Sequence, residues 1–218
     1  ADYTAQEISV SELKTNFTVF YQGKKLGGIS SCSLGNHNIC NTLAAVAVGM
    51  ELNMDFATIA DALKGFSGVQ RRFEILHYSD SLIIVDDYGH HPAEIQATLS
   101  TAKEVWPNRR LIVVFQPHRF SRTQHLMESF YLSFNNADQL FLLDIYGAGE
   151  KTIEGIHSRK MAQGIREFGQ KNVDYIEKAD ILFPHLQNSL QTGDVILTLG
   201  AGNIGELAHK LVAQFHDW

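Results

Sequence analysis

The chain has 218 residues, and 18 Lys and Arg against 24 Asp and Glu give it a formal net charge of -6. At roughly 100–200 residues per domain this is one large domain or a domain and a half, and 44% hydrophobic with 19% charged residues excludes a disordered chain. No apolar run approaches the roughly 18–20 residues of a membrane helix, and a pI of about 5.9 leaves no basic footprint for nucleic acid or an anionic membrane.

Cys32 and Cys40 are too few for a disulfide scaffold and match no zinc spacing. Reduced thiols and a cytoplasmic location are expected. The chain opens at Ala1, not Met, and in mid-pattern, so a piece of a longer polypeptide is among the expectations.

Phe17-Thr18-Val19-Phe20-Tyr21 is an aromatic, β-branched run, and Gln22-Gly23-Lys24 is a turn from which residues 26–31 return as a hairpin partner. Residues 38–53 carry Ile39, Leu43, Val46, Ala47 and Met50 at helical spacing. Asp55 caps a second helix through Phe66, with Gly65 and Gly68 ending it. This first segment, residues 1–72, is a thin core that reads as the tail of a larger domain.

From residue 73 onward the pattern becomes regular. Apolar runs at 82–85, 111–115, 139–143, 173–176 and 195–199 alternate with helical patterns at 92–105, 122–134, 158–168 and 179–190, and a last helix covers 204–215. Strands alternating with helices predict a mostly parallel sheet with helices on both faces, a Rossmann-like α/β domain over residues 73–218. Such sheets bind ligands at the carboxyl ends of their strands.

The segments after the strands are Asp86-Asp87-Tyr88-Gly89-His90-His91-Pro92, Gln116-Pro117-His118-Arg119-Phe120-Ser121-Arg122-Thr123, Tyr146-Gly147-Ala148-Gly149-Glu150 and Gly200-Ala201-Gly202-Asn203-Ile204-Gly205. Their convergence on one crevice is the functional signal. Arg119 and Arg122, three apart at a helix start, share a face, and their guanidinium forks suit a carboxylate or a phosphate. His90 and His91 are adjacent, which places them badly for one metal ion, so no metal site is expected from them. The G-x-G-x-x-G at 200–205 follows a strand, but only 13 residues come after it, so the acidic strand end of a dinucleotide fingerprint is missing. Asn38 and Asn41 face one way in the first turn of a helix, where they suit either the N6/N7 edge of adenine or ordinary capping. Arg71 and Arg72 at the junction suit either phosphates or an interface salt bridge.

Taken together these segments resemble the Mur ligases. Gly35-Asn36-His37-Asn38 with Asn41 and Leu43-Ala44-Ala45 resembles their adenine-side helix. Phe66-Ser67-Gly68-Val69-Gln70-Arg71-Arg72-Phe73-Glu74 resembles the linker into their last domain. The Asp-Asp-Tyr-Gly-His-His-Pro string and the Gln116–Thr123 segment are similar to the branch that joins L-alanine to UDP-N-acetylmuramate. In the tripeptide-recycling branch Phe-Ala tends to stand in place of Tyr88-Gly89.

The resemblance implies that residues 1–72 end a central ATPase domain and that 73–218 form the complete C-terminal domain. No G-x-x-x-x-G-K-[ST] loop occurs, so the family's phosphate cradle, Mg²⁺ ligands and UDP-binding domain are expected upstream, and the segment alone is expected to be inactive. In the implied reaction the muramic acid carboxylate takes the γ-phosphoryl of ATP, and the amine of L-alanine then displaces phosphate from the acyl carbon. By the same resemblance Asn38 and Asn41 read adenine, Asp87 accepts from the ribose hydroxyls and Arg72 meets the ATP phosphates. Arg119 and Arg122 hold the substrate carboxylates, while His118, Tyr88 and His90 line the alanine site. His91 stabilises a helix start. The competing readings are a murein tripeptide recycling ligase, a nicotinamide dehydrogenase fragment built on 200–205, and a nucleotide-binding module without chemistry of its own.

Overall fold

The computed structural model describes residues 1–66, 68–216 and 218, so Ser67 of the linker motif lies outside the described residues. The chain divides into two units, Ala1–Val69 and Gln70–Trp218, a few residues before the boundary expected at 72.

In the first unit β1 (Tyr3–Ser11), β2 (Lys14–Tyr21) and β3 (Lys24–Ser31) form an antiparallel sheet in that order. Two-residue turns join them, with positive φ at Glu12 and Leu13 and again at Gln22 and Gly23, the geometry that matches strand twist in tight hairpins. Helices α1 (Asn36–Glu51) and α2 (Phe56–Gly65) follow. Asp55 caps α2, accepting from the Thr58 amide at 3.0 Å, as expected. Phe17, Val19 and Ile29 from the sheet meet Ile39, Val46 and Ile59 from the helices in one buried cluster. The β1 strand is absent from the sequence expectation; it thickens what otherwise reads as a meagre core.

The second unit holds a sheet ordered β4-β5-β9-β6-β7-β8, built from Glu74–Tyr78, Leu82–Asp87, Asp194–Leu199, Leu111–Phe115, Gln139–Leu143 and Val173–Ile176 respectively. Only β4 runs antiparallel. Every residue of β5, β6, β7 and β9 is buried, as strands covered on both faces require. The helices are α3 (Pro92–Val105), α4 (Phe120–Tyr131), α5 (Ser158–Phe168), α6 (Ala179–Ser189) and α7 (Ile204–Phe215). Leu182 and Leu186 of α6 and Leu207 and Leu211 of α7 pack on Ile84, Ile112 and Ile196. On the other face Phe115 meets Phe130 of α4, with ring centroids 5.7 Å apart.

The mostly parallel, doubly covered sheet is the expected architecture. Among the predicted helices, α4 starts at Phe120 and not at Arg122, because Arg119 with φ 72 breaks the chain direction just before it. The chain leaves β9 toward α7, which packs on β5 and β4, and leaves β6 toward α4 and β7. Strand order therefore reverses between β9 and β6, the place where open α/β sheets bind ligands.

Candidate active site

The four loops beyond the strand ends meet through side chains rather than backbone alone. After β5, Asp87 is 4% exposed. Its Oδ2 accepts from the Phe73 amide at 2.8 Å, and its Oδ1 accepts from the Gly89 amide at 2.7 Å and the Thr98 hydroxyl at 3.3 Å. The carboxylate expected on the ribose is thus engaged first with its own chain, bracing the 71–73 segment against the loop. A Cβ on Gly89 would lie 2.7 Å from Asp87 Oδ1, so only glycine lets the loop close on that carboxylate.

Arg71, rather than Arg72, is tied into the unit. Its Nε donates to Asp86 at 2.8 Å, and its terminal nitrogens donate to the carbonyls of Gly200 at 2.6 Å and Gly202 at 3.4 Å. Arg71 thus makes a salt bridge, but one inside the second unit and not the interface bridge considered for this pair. Arg72 is exposed, with its guanidinium 5.6 Å from the Tyr88 ring centroid, and Arg71 stands 5.1 Å from the same ring.

From Tyr88 a line of rings crosses three loops. Tyr88 meets His90 edge-on at 5.3 Å, His90 lies 6.0 Å from His118, and His118 stacks on Tyr146 at 5.6 Å with 17° between planes. A parallel bridge pairs His118 with Tyr146, adding one rung beyond β6 and β7. Tyr146 is not among the residues that the sequence points to as ligand contacts, although its loop is one of the four expected to converge.

The two histidines use Nδ1 toward partners of opposite kind. His90 Nδ1 is 2.9 Å from the Tyr88 carbonyl, which can only accept, so Nδ1 carries a proton. His118 Nδ1 is 3.2 Å from Arg122, which can only donate, so Nδ1 is the acceptor. Burial, reinforced by Arg122, His90 and Arg119, holds His118 below the ordinary histidine value and keeps it neutral. Glu94 Oε2 accepts from the His90 and His91 amides at 3.0 and 3.1 Å. Burial pushes the Glu94 carboxyl up, but those amides and the nearby cations outweigh it and hold it low. His91 caps α3 within a capping box completed by Glu94, the structural role expected of it.

Arg119 is exposed and Arg122 half-buried, both at the start of α4. Arg119 has φ 72 and ψ 135, a region that costs a non-glycine residue on the order of 1–3 kcal/mol. Its amide donates to Tyr146 O at 2.8 Å, and its carbonyl accepts from the Thr123 amide and hydroxyl. Gly202 closes the crevice floor, where a Cβ would fall 2.7 Å from Gln116 Oε1 and 2.8 Å from Tyr146 Cγ.

Asn38 and Asn41 belong to the first unit. Asn38 Nδ2 donates to Leu34 O at 2.8 Å and Asn41 Nδ2 to Asn38 Oδ1 at 3.2 Å, so the pair shares one face of α1 as expected. The cap of α1 is Gly35, without a side-chain bond, which removes ordinary capping as their role. Among the described residues no group of three or more His, Cys, Asp or Glu could hold a metal ion. Among the described residues no helix is long and apolar enough to cross a membrane.

A family model described as the Mur ligase glutamate ligase domain matches residues 71–202. The chain belongs to the Mur ligase family. Among curated Mur ligases, it is 49% identical over 211 residues to the UDP-N-acetylmuramate–L-alanine ligase of Syntrophotalea carbinolica, covering 97% of this chain and 46% of that one. It is 45% identical over 217 residues to the enzyme of the same name from Geobacter sulfurreducens, covering 100% and 47%. The chain thus spans about half the length of the curated relatives it matches. Among solved Mur ligases, the UDP-N-acetylmuramate–alanine ligase of Thermotoga maritima aligns with TM-score 0.82 at 29% identity, over 99% of this chain and 46% of that one. A murein peptide ligase from Psychrobacter arcticus aligns at 0.64 with 23% identity over 98% and 44%, a likeness of fold alone.

Proposed function

We propose that the protein carrying this chain joins L-alanine to UDP-N-acetylmuramate with consumption of ATP, and that this chain supplies the amine-binding crevice and part of the nucleotide site. The observation that carries the reading is the convergence of Arg119 and Arg122 with the Tyr88–His90–His118–Tyr146 line of rings at the strand switch. Relatives at 45–49% identity bearing that ligase name support it.

A carboxylate is a poor acyl donor because oxide is a poor leaving group. Transfer of the γ-phosphoryl of ATP to the muramic acid carboxylate releases ADP and leaves an acyl phosphate. The nitrogen of L-alanine then adds to the acyl carbon, and the tetrahedral species expels phosphate. The nitrogen loses its protons in the process, so a lone pair must stand ready. His90 is the acceptor: its Nδ1–H is pinned on the Tyr88 carbonyl, leaving Nε2 to take the proton. His118, with Nδ1 occupied by Arg122, orients that guanidinium toward a carboxylate and lines the pocket. Arg119, beside it, offsets charge that develops on the tetrahedral oxygen.

Arg72 meets nucleotide phosphates from its place beside Tyr88, and Asn38 with Asn41 reads adenine. Asp87 reaches ribose only while keeping its three internal donors. Mg²⁺, which the family's chemistry implies, would neutralise the ATP phosphates, with its protein ligands in the part of the protein that carries the P-loop. The 218-residue chain alone, without a P-loop sequence, is inactive in this reading.

The test is ATP-dependent phosphate release by the full-length protein with UDP-N-acetylmuramate, comparing L-alanine, other amino acids and the murein tripeptide. Strict dependence on L-alanine, abolished by Arg119→Ala, is the expected result. Preference for the tripeptide moves the protein to recycling, and no turnover with any amine leaves a nucleotide-binding module.

A further inference from the structure

We propose that Ser121 and Glu150 are positioning residues, a clasp that locks the loop after β7 onto the first turn of α4 and so fixes the direction of the Arg119 and Arg122 guanidiniums. The proposal rests on the reading of that pair as the clamp for the amine substrate's carboxylate.

Arg119 occupies a backbone region that residues with a Cβ avoid, so something outside it must hold it there. The holding bonds run to the loop after β7. The Arg119 amide donates to the Tyr146 carbonyl, and the Tyr146 amide donates to the Pro117 carbonyl, each at 2.8 Å. Arg119 therefore keeps its conformation only while that loop stays in register.

The loop is fastened at both ends. At its base the Tyr175 hydroxyl donates to Asp144 Oδ1 at 2.7 Å. At its tip Glu150 takes two bonds from one residue: Oε2 accepts from the Ser121 amide at 2.9 Å and Oε1 from the Ser121 hydroxyl at 2.7 Å. Between the two ends lie Gly147, Ala148 with φ 48 and Gly149 with φ 85, a stretch with little stiffness of its own.

Glu150 also supplies what α4 lacks. The helix begins without a side-chain cap from its own N-cap residue, Arg119. The Ser121 amide is one of the first-turn donors with no helical acceptor. A carboxylate from 29 positions on fills that role, at the helix end where negative charge is favoured. The Ser121 amide and hydroxyl, together with Arg119, hold the Glu150 carboxyl below its usual value, so the clasp stays ionised in neutral solution.

The experiment uses the full-length protein and compares Glu150→Ala, Glu150→Gln and Ser121→Ala. It measures KM for L-alanine and for ATP, and hydrogen exchange of the peptides spanning 117–124 and 144–151. Because displacement of a clamping group by an ångström is felt strongly, Glu150→Ala should raise KM for L-alanine about tenfold and leave KM for ATP within about twofold. Glu150→Gln, which still accepts at the helix start, recovers most of the loss, and Ser121→Ala, which keeps the amide bond, falls between. Exchange in both peptides quickens in Glu150→Ala.

An unchanged KM for L-alanine, an equal rise for ATP, or a glutamine variant as damaged as the alanine one overturns the clasp. If the wild-type protein shows no alanine-dependent turnover, the functional reading fails separately. The exchange measurement then decides alone, and unchanged exchange in Glu150→Ala overturns the proposal.

Discussion

His118 accepts a hydrogen bond through Nδ1 from Arg122, 3.2 Å away, and this contact assigns the tautomer of the neutral imidazole. Burial and the neighbouring guanidiniums oppose a proton there. A proton-detected titration should place the His118 midpoint below the ordinary histidine value, and Arg122→Gln should raise it. The unfolded chain takes the proton first as pH falls. The His118 contribution to stability is thus present above the ordinary value and is lost as pH drops through the folded one. A midpoint unmoved in Arg122→Gln contradicts the assignment.

The positive φ of Arg119 makes a test that separates backbone from side chain. Both Arg119→Gly and Arg119→Ala lose the guanidinium, and both should abolish amine-dependent turnover. Only glycine relieves the backbone, so Arg119→Gly should be more stable than Arg119→Ala by about 1 kcal/mol in urea unfolding. Equal stability would mean that the conformation carries no strain.

Asp87 is read as a brace before it is a ribose ligand. Asp87→Asn presents an amide to donors on Phe73, Gly89 and Thr98, and should cost roughly 1–3 kcal/mol of folding stability. A variant with unchanged unfolding and a raised KM for ATP would reverse that order of importance.

Arg71 closes the Asp86 carboxylate, whose side chain is 2% exposed, and holds the carbonyls of Gly200 and Gly202. Arg71→Ala leaves that carboxylate with the Thr198 hydroxyl but without its cation. Unfolding should be easier by about 3 kcal/mol, the usual cost of stripping one partner from a buried pair. Arg72→Ala, at an exposed position, should leave stability nearly unchanged and weaken ATP binding.

The alternation of apolar runs with helical periods made the parallel sheet legible, because strands covered on both faces must be apolar throughout. Residues that mix the two faces were harder. The β1 strand alternates poorly, its register slips between Gln6 and Ser9, and Ile8 and Val10 are exposed, so no clean two-residue period marks it. The antiparallel β4 is five residues long and carries Glu74 and His77 among its apolar side chains.

For the site, the loop strings identified the crevice. The division of labour within them depended on contacts distant in sequence. Arg71 and Arg72 are indistinguishable as neighbours, and only the positions of Asp86 and the Gly200 carbonyl separate an anchored arginine from an outward one. Likewise nothing local to Glu150 announces Ser121, which lies 29 residues earlier.

The strand nearest the C-terminus, β9, sits in the middle of its sheet, between β5 and β6. During synthesis the ribosome therefore delivers β4 and β5, then β6, β7 and β8, before the strand that joins them. Until residues 194–199 emerge, the nascent domain holds two sheet fragments with unpaired inner edges. Pairing across more than a hundred residues of sequence is slow to nucleate. Translation that stops short of β9 yields a chain with an open seam down its centre, a ready substrate for chaperones and proteases.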